Sequence, residues 1–187
     1  MHANSKQEQN YAYRTRETTK TFAFLARIDN FTLFYFQFMA NYTRTSAYWS
    51  QKINQPQFNT WSGFAYERVC MQHIEQIKQA IGISGIASSV YSWQYTPKNE
   101  NEKGTQIDML IDREDRTINL CEIKYSQGEY EISEAYDKVL REKLAIFQQA
   151  TKTKKGVSLL MITSYGLKRN QWANNIHIQL TMDDLFV

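Results

Sequence analysis

The 187-residue sequence contains only two cysteines and two prolines, and it has no apolar run long enough to cross a bilayer. Two cysteines do not make the disulfide framework of a small secreted protein, so Cys70 and Cys121 are predicted to be buried free thiols in a reducing compartment. The first residues are polar where a signal peptide would be apolar. We therefore expect a cytoplasmic protein with no membrane partner.

A glycine-rich phosphate-binding loop ending in Gly-Lys-Ser or Gly-Lys-Thr is also missing from the sequence. No ATP binding by this chain is therefore expected. A large excess of charge of one sign is absent too, because the formal net charge is only +3. That charge permits a nucleic-acid partner without requiring one. Hydrophobic residues make up 42% of the chain and aromatic residues 14%, which predicts a globular core.

Helix-like and strand-like patterns alternate along the chain in the order helix, three strands, helix, two strands. An aromatic helix over residues 30–42 precedes this series, with Asp29 as its N-cap, and residues 54–59 are predicted to be a loop. The first helix of the series is expected from Ser62 to Gly82 and the second after Ser133. The strands are predicted at residues 86–95, 106–112, 117–125, 157–163 and 176–180.

Two acids and one lysine interrupt neighbouring apolar segments in the middle of the sequence. Asp108 lies in residues 106–112, whereas Glu122 and Lys124 lie in residues 117–125. Side chains alternate between the faces of a strand, so Glu122 and Lys124 point the same way. The short polar stretch between the segments predicts a hairpin, which brings Asp108 towards the Glu122 end. Two carboxylates beside a lysine are typical of a site for a hard divalent cation. The alternative is a cross-strand salt bridge on a solvent face, which contributes up to about 1 kcal/mol.

The pattern of Asp108 followed by Glu122-Ile123-Lys124 resembles the PD-(D/E)xK phosphodiesterase superfamily. Longer stretches are similar to the C-terminal part of bacterial AAA-type ATPases, in which a nuclease-like domain follows an ATPase module and a winged helix. The similarity runs from about residue 22 to the C-terminus, and residues 29–38, 61–67, 106–112 and 119–124 carry it. It implies an α/β fold with a restriction-endonuclease-like αβββαββ core and an N-terminal helical extension.

The resemblance also implies a metal site. Asp108, Glu122 and the backbone carbonyl of Ile123 would hold Mg²⁺ or Mn²⁺, which activates a water for attack on a phosphodiester. Lys124 would orient that water or stabilise the developing negative charge.

Two further residues are candidates for this site. Glu67, in the family-like motif Gly63-Phe64-Ala65-Tyr66-Glu67, would reach the ion through a water and take part in catalysis. The alternative for Glu67 is a solvated helical glutamate. Gln106 lies two residues before Asp108 in the strand pattern, so it is a candidate substrate contact, or else an ordinary polar strand residue.

We therefore expect three parts and one of two functions. Residues 1–20 form a flexible polar arm, residues 21–60 a helical extension that once linked a winged helix to the nuclease-like domain, and residues 61–187 that domain. The chain would be a truncated or separately encoded remnant of a longer ATPase. The first function is Mg²⁺-dependent cleavage of DNA. The alternative is a non-catalytic docking or regulatory module of an ATPase system. It would bind a protein partner through the aromatic helix at residues 30–42, or nucleic acid without cutting it.

Overall fold

The computed structural model describes residues 29–40, 47–53, 55–97, 99–100 and 102–186. The predicted arm at residues 1–20 lies outside these described residues. Contacts divide the chain into two compact units, one ending at Asn59 and the other covering Thr60–Val187. Within the described ranges, no helix combines the length and the apolar character that crossing a membrane requires.

The first unit begins with a short helix whose start the sequence predicts. Helix α1 covers Asn30–Phe34, and the side chain of Asp29 caps it by accepting a 2.8 Å hydrogen bond from the backbone N–H of Thr32. A π-helical turn, Tyr35–Met39, follows directly, and helix α2 covers Tyr48–Lys52. The described part of the predicted aromatic helix is therefore half α-helix and half π-helix.

In the described part of the first unit, aromatic rings pack against one another and also lie at the surface. Phe34 stacks on Trp49 with ring centroids 5.3 Å apart, and Phe38 is buried with its ring 5.6 Å from that of Phe58. Phe31 and Phe36 point outwards and are 69% and 68% exposed. The aromatic side chains of this unit thus include rings that pack together and rings that are exposed.

Two helices replace the single helix that the sequence predicts over residues 62–82. Helix α3 covers Pro56–Gln72 and helix α4 covers Ile74–Ala80, with His73 between them outside helical geometry. The predicted loop at residues 54–59 is wrong from Pro56 onwards, because proline has no N–H to lose and its fixed φ suits the first position of a helix. Gly82 follows α4 with φ +73°, the left-handed conformation expected of a helix-ending glycine.

Five strands form one open mixed sheet, in which they lie in chain order. They are β1 (Ser88–Tyr95), β2 (Thr105–Arg113), β3 (Thr117–Lys124), β4 (Gly156–Thr163) and β5 (Ile178–Leu180). The strands β1–β3 pair antiparallel, and β3–β5 pair parallel. A tight turn joins β2 to β3, which confirms the predicted hairpin.

Helix α5, Glu134–Thr151, provides the crossover between the parallel strands β3 and β4. Ser133 caps it as predicted, and Lys152 ends it in the left-handed conformation. Leu140 and Phe147 of α5 belong to one apolar cluster on the sheet, whereas α3 and α4 contribute to another. Both faces of the central strands are therefore buried, and the α/β class is confirmed.

Candidate functional site

A β-bulge interrupts strand β2 at Asp108. Two residues of β2, Asp108 and Met109, lie where β1 has only Ser92. As a result, Ile107 and Leu110 belong to the same apolar cluster although they are three positions apart. A bulge of this kind redirects a side chain out of regular alternation, and bulges are over-represented next to active sites.

The carboxylate of Asp108 replaces a backbone group in the pairing of β2 with β3. The regular pairing ends at Met109 and Cys121. Two residues further along β3, the backbone N–H of Ile123 donates to Asp108 Oδ2 at 2.9 Å. The N–H and C=O of one residue in an extended strand point to the same side, so the Ile123 carbonyl is also directed towards β2. A carboxylate and a carbonyl thus face the end of the β2–β3 ladder together.

Glu122 is buried, and its carboxylate interacts with three donor groups. Its side chain is 1% exposed, and its Oε1 lies 2.8 Å from Lys124 Nζ and accepts from the Tyr136 hydroxyl at 2.7 Å. Its Oε2 lies 2.7 Å from Nζ of Lys143, a residue of helix α5. The solvent-exposed salt bridge considered from the sequence therefore does not describe Glu122, because this acid is buried between two ammonium groups.

The charges of these groups shift one another's pKa values. Burial raises the pKa of Glu122, but Lys124 and Lys143 outweigh it, so the pKa lies below the usual range. Burial lowers the pKa of Lys124, but the Glu122 carboxylate more than compensates, so the pKa is raised. Burial and the charge of Glu122 together raise the pKa of Asp108. Asp108 is thus the acid of the pair that resists ionisation.

Glu67 of helix α3 completes the set. Burial and, to a smaller extent, the charge of Asp108 raise the pKa of this half-buried acid to about 7, and Lys124 opposes them only in part. Glu67 is thus not the solvated helical glutamate that was the alternative from the sequence. We call Glu67, Asp108, Glu122, Lys124 and Lys143 the acid–lysine cluster. It has three acids and two lysines, so it is negative when all are ionised.

The structure brings together four of the residues that the sequence singles out and leaves one at the surface. Glu67, Asp108, Glu122 and Lys124 all belong to the acid–lysine cluster. Gln106 is exposed and lies opposite Gln94 of β1. Its contact with a substrate remains a prediction.

Sequence reasoning missed Lys143 and Tyr136, which come from helix α5. The signal was present in the spacing, because positions 136, 140, 143 and 147 follow one face of a helix. Leu140 and Phe147 of this face are core residues, so their spacing also directs the lysine between them towards the sheet. Its partner Glu122 is 21 positions away in sequence, and only the crossover brings the two together.

In the part of the chain that the structure describes, no group of three or more His, Cys, Asp or Glu side chains is arranged to hold a metal ion. At Glu122, ammonium and hydroxyl groups lie at the distances of hydrogen bonds. In this arrangement Glu122 is paired with lysines, whereas Asp108 accepts from the backbone of Ile123.

Comparison with known proteins gives a family without an assigned activity. A family model described as archaeal and bacterial proteins of unknown function, DUF234, matches residues 31–135, which is more than half of the chain. One solved structure, of the protein of unknown function AF1548, is similar with a TM-score of 0.43 and 11% identity. That similarity covers 63% of this chain and 64% of the other. No curated protein matches the sequence. On the family match, the chain belongs to the DUF234 family.

Proposed function

We propose that the unit Thr60–Val187 is a Mg²⁺- or Mn²⁺-dependent phosphodiesterase that cleaves DNA, with a restriction-endonuclease-like core. The observation that carries this proposal is the 2.9 Å hydrogen bond from Ile123 N–H to Asp108, directly beside the buried pair of Glu122 and Lys124. The similarity to the C-terminal domain of AAA-type ATPases supports DNA as the substrate.

The donor set fits a hard divalent cation. Asp108 and Glu122 would hold the ion with the Ile123 carbonyl, and Glu67 would reach it through a water. The repulsion that raises the pKa of Asp108 and Glu67 would be relieved by positive charge between them. When bound, the cation supplies a water of lowered pKa and neutralises charge on the phosphate.

Lys124 would act on the reacting groups. Its side chain is 30% exposed and that of Glu122 is 1% exposed, so Lys124 is the member of this ion pair that solvent reaches. The ring of Tyr136 lies under the Lys124 ammonium group, with 5.8 Å from Nζ to the ring centroid. Held by this ring, Lys124 would orient the attacking water or stabilise the charge that develops on the phosphate.

The test is cleavage of plasmid, linear duplex, single-stranded and branched DNA, and of RNA, with Mg²⁺ or Mn²⁺ and with a chelator. Lys124→Met should reduce cleavage by about 10²-fold or more while the protein still binds Mn²⁺. Lys138→Met is the matched control, because Lys138 pairs with Glu134 on the outer side of α5 and its side chain is 72% exposed. The proposal would be overturned if the wild type cleaved none of these substrates in a metal-dependent reaction.

One observation favours the second candidate, a non-catalytic docking module. Phe31 and Phe36 are large apolar side chains that are mostly exposed in the first unit. A docking module would lose its association with a protein partner in a Phe31→Ser, Phe36→Ser double variant and would show no cleavage in any assay. Metal-dependent cleavage by the wild type and by this double variant would contradict the second candidate.

A further inference from the structure

We propose that Lys143 is a displaceable counter-ion of Glu122, and that its displacement makes the binding of a divalent cation and of a phosphate group cooperative. This inference rests on the proposed function and adds to it the role of a residue from helix α5. It concerns the order and strength of binding, not the chemical step.

The first argument is the way the donors divide the two oxygens of Glu122. Oε1 is shared by Lys124 and the hydroxyl of Tyr136, at 2.8 Å and 2.7 Å. Oε2 has Lys143 at 2.7 Å. A cation that binds Glu122 is expected at Oε2, which has one donor where Oε1 has two. There it would lie beside the ammonium group of Lys143, and the two positive charges would repel each other. Lys143 is therefore the group that the cation displaces.

The second argument is that a displaced Lys143 loses its partner and has little room to move. The cation would also be held by the other acids of the acid–lysine cluster, so these would not replace Glu122 as its partner. Its side chain is only 16% exposed, whereas that of Lys124 is 30% exposed. Leu140 and Phe147 fix α5 against the sheet on either side of it, so the backbone cannot withdraw. An ammonium group that stays largely buried without a partner is costly, and the nearby cation repels it as well.

A phosphate group removes both costs. It supplies the negatively charged partner that a displaced Lys143 has lost, and it would lie beside the cation in a phosphodiesterase site. Cation binding alone is thus weakened by the loss of the Lys143–Glu122 ion pair, and phosphate restores a partner. Because coupling between two ligands is reciprocal, each should tighten the other, and typical couplings are about 5- to 150-fold.

The experiment measures Mn²⁺ affinity with thymidine 5′-monophosphate, which has a phosphate but no phosphodiester bond to cut, and with uncharged thymidine. In the wild type, the monophosphate should tighten Mn²⁺ binding about fivefold or more, and thymidine should not. In Lys143→Met and Lys143→Gln, Mn²⁺ alone should bind more tightly than in the wild type, and the monophosphate should add little. Lys138→Met should behave as the wild type does.

Each outcome decides a separate point. An equal gain from the monophosphate in the wild type and in a Lys143 variant would overturn the inference while the metal site stands. If neither variant folds, the wild type alone decides, since the lack of any gain from the monophosphate would overturn the inference. Failure of Mn²⁺ to bind the wild type with or without the monophosphate would overturn the proposed function and this inference together.

Discussion

Each end of the β2–β3 hairpin has an aspartate and an ion pair between an acid and a lysine, yet the two ends differ in almost every other respect. At the turn end, Asp112 lies 2.6 Å from Lys155, and their side chains are 27% and 30% exposed. At the opposite end, Asp108 lies beside Glu122, whose side chain is 1% exposed and forms ion pairs with two lysines. One end has a balanced pair near solvent, whereas the other has excess acid in the interior.

The difference teaches that an acid–lysine contact alone does not identify a site. Lys155 also donates to the Arg113 carbonyl at 2.7 Å, so it ties the start of β4 to the hairpin and has a structural task. The acid–lysine cluster places three acids against two lysines, and its ion pairs do not neutralise it. Excess charge that is buried is expensive unless a ligand compensates for it.

The largest expected effect tests the difference between the two ends of the hairpin by substituting the aspartate at each end. Asp108→Asn should reduce metal-dependent cleavage by about 10³-fold, because it removes a charged ligand of the cation. Asp112→Asn should leave the cleavage rate within about twofold, as expected for a surface ion pair. Cleavage rates and Mn²⁺ affinities of the two variants provide the measurement. A similar loss in both variants would mean that the hairpin acts only as a scaffold.

The second effect concerns stability and uses the two lysines. Lys143→Met should lower the free energy of unfolding by about 3 kcal/mol, because it leaves the buried Glu122 with fewer partners. Lys155→Met should cost about 1 kcal/mol or less, because its pair is partly exposed. Urea unfolding in a chelator, at constant pH, measures both values. Equal costs would contradict the contrast between the buried and the exposed ends.

The third effect is a pH dependence that belongs to the acid–lysine cluster. The pKa of Glu67 is raised from its ordinary 4.5 to about 7. Between these pH values the Glu67 carboxyl group keeps its proton in the folded protein and is ionised in the unfolded chain. The contribution of Glu67 to stability therefore falls as the pH rises from 4.5 to 7. Glu67→Gln should stabilise the protein by about 1 kcal/mol at high pH, since solvent screens this half-buried acid, and should have no effect at low pH.

Thermal unfolding of Glu67→Gln across this pH range, in a chelator, measures the difference. Glu75→Gln on helix α4 is the matched control, because the Glu75 side chain is 76% exposed. The same pH profile in both variants would show that the effect does not come from burial in the acid–lysine cluster.

The smallest effect is expected at Gln106. Loss of one hydrogen bond to a substrate is worth about 1 kcal/mol, so Gln106→Ala should raise KM for DNA about fivefold with an unchanged kcat. Gln94→Ala, on the opposite residue of β1, is the control and should change neither constant. An unchanged KM in Gln106→Ala would make Gln106 an ordinary polar residue of the strand.

The sequence predicted what depends on neighbouring residues. Short runs of apolar, β-branched and aromatic residues located the strands, and a short polar link between two of them predicted the hairpin that brings Asp108 near Glu122. The caps at Asp29 and Ser133 were also readable, because a side-chain oxygen there accepts from the backbone two or three residues later.

What depends on distant pairing was not predictable in the same way. The bulge at Asp108 arises only when β2 pairs with β1, and no local pattern indicates an extra residue. Lys143 reaches Glu122 because the crossover helix packs on the sheet, so its role needs the tertiary structure. The helix start at Pro56 was misjudged for a simpler reason, since proline favours both loops and first helical positions.

The extra residue in β2 has a consequence for any alignment with relatives. A homologous strand without the bulge would be one residue shorter between the positions of Ile107 and Leu110 and would still keep both of them in the same apolar cluster. Aligning such strands without a gap would match the acid of one protein with an apolar residue of the other. Equivalent acids should therefore be sought by their distance from the Glu122 position across the hairpin, with a single-residue deletion allowed at Asp108 or Met109.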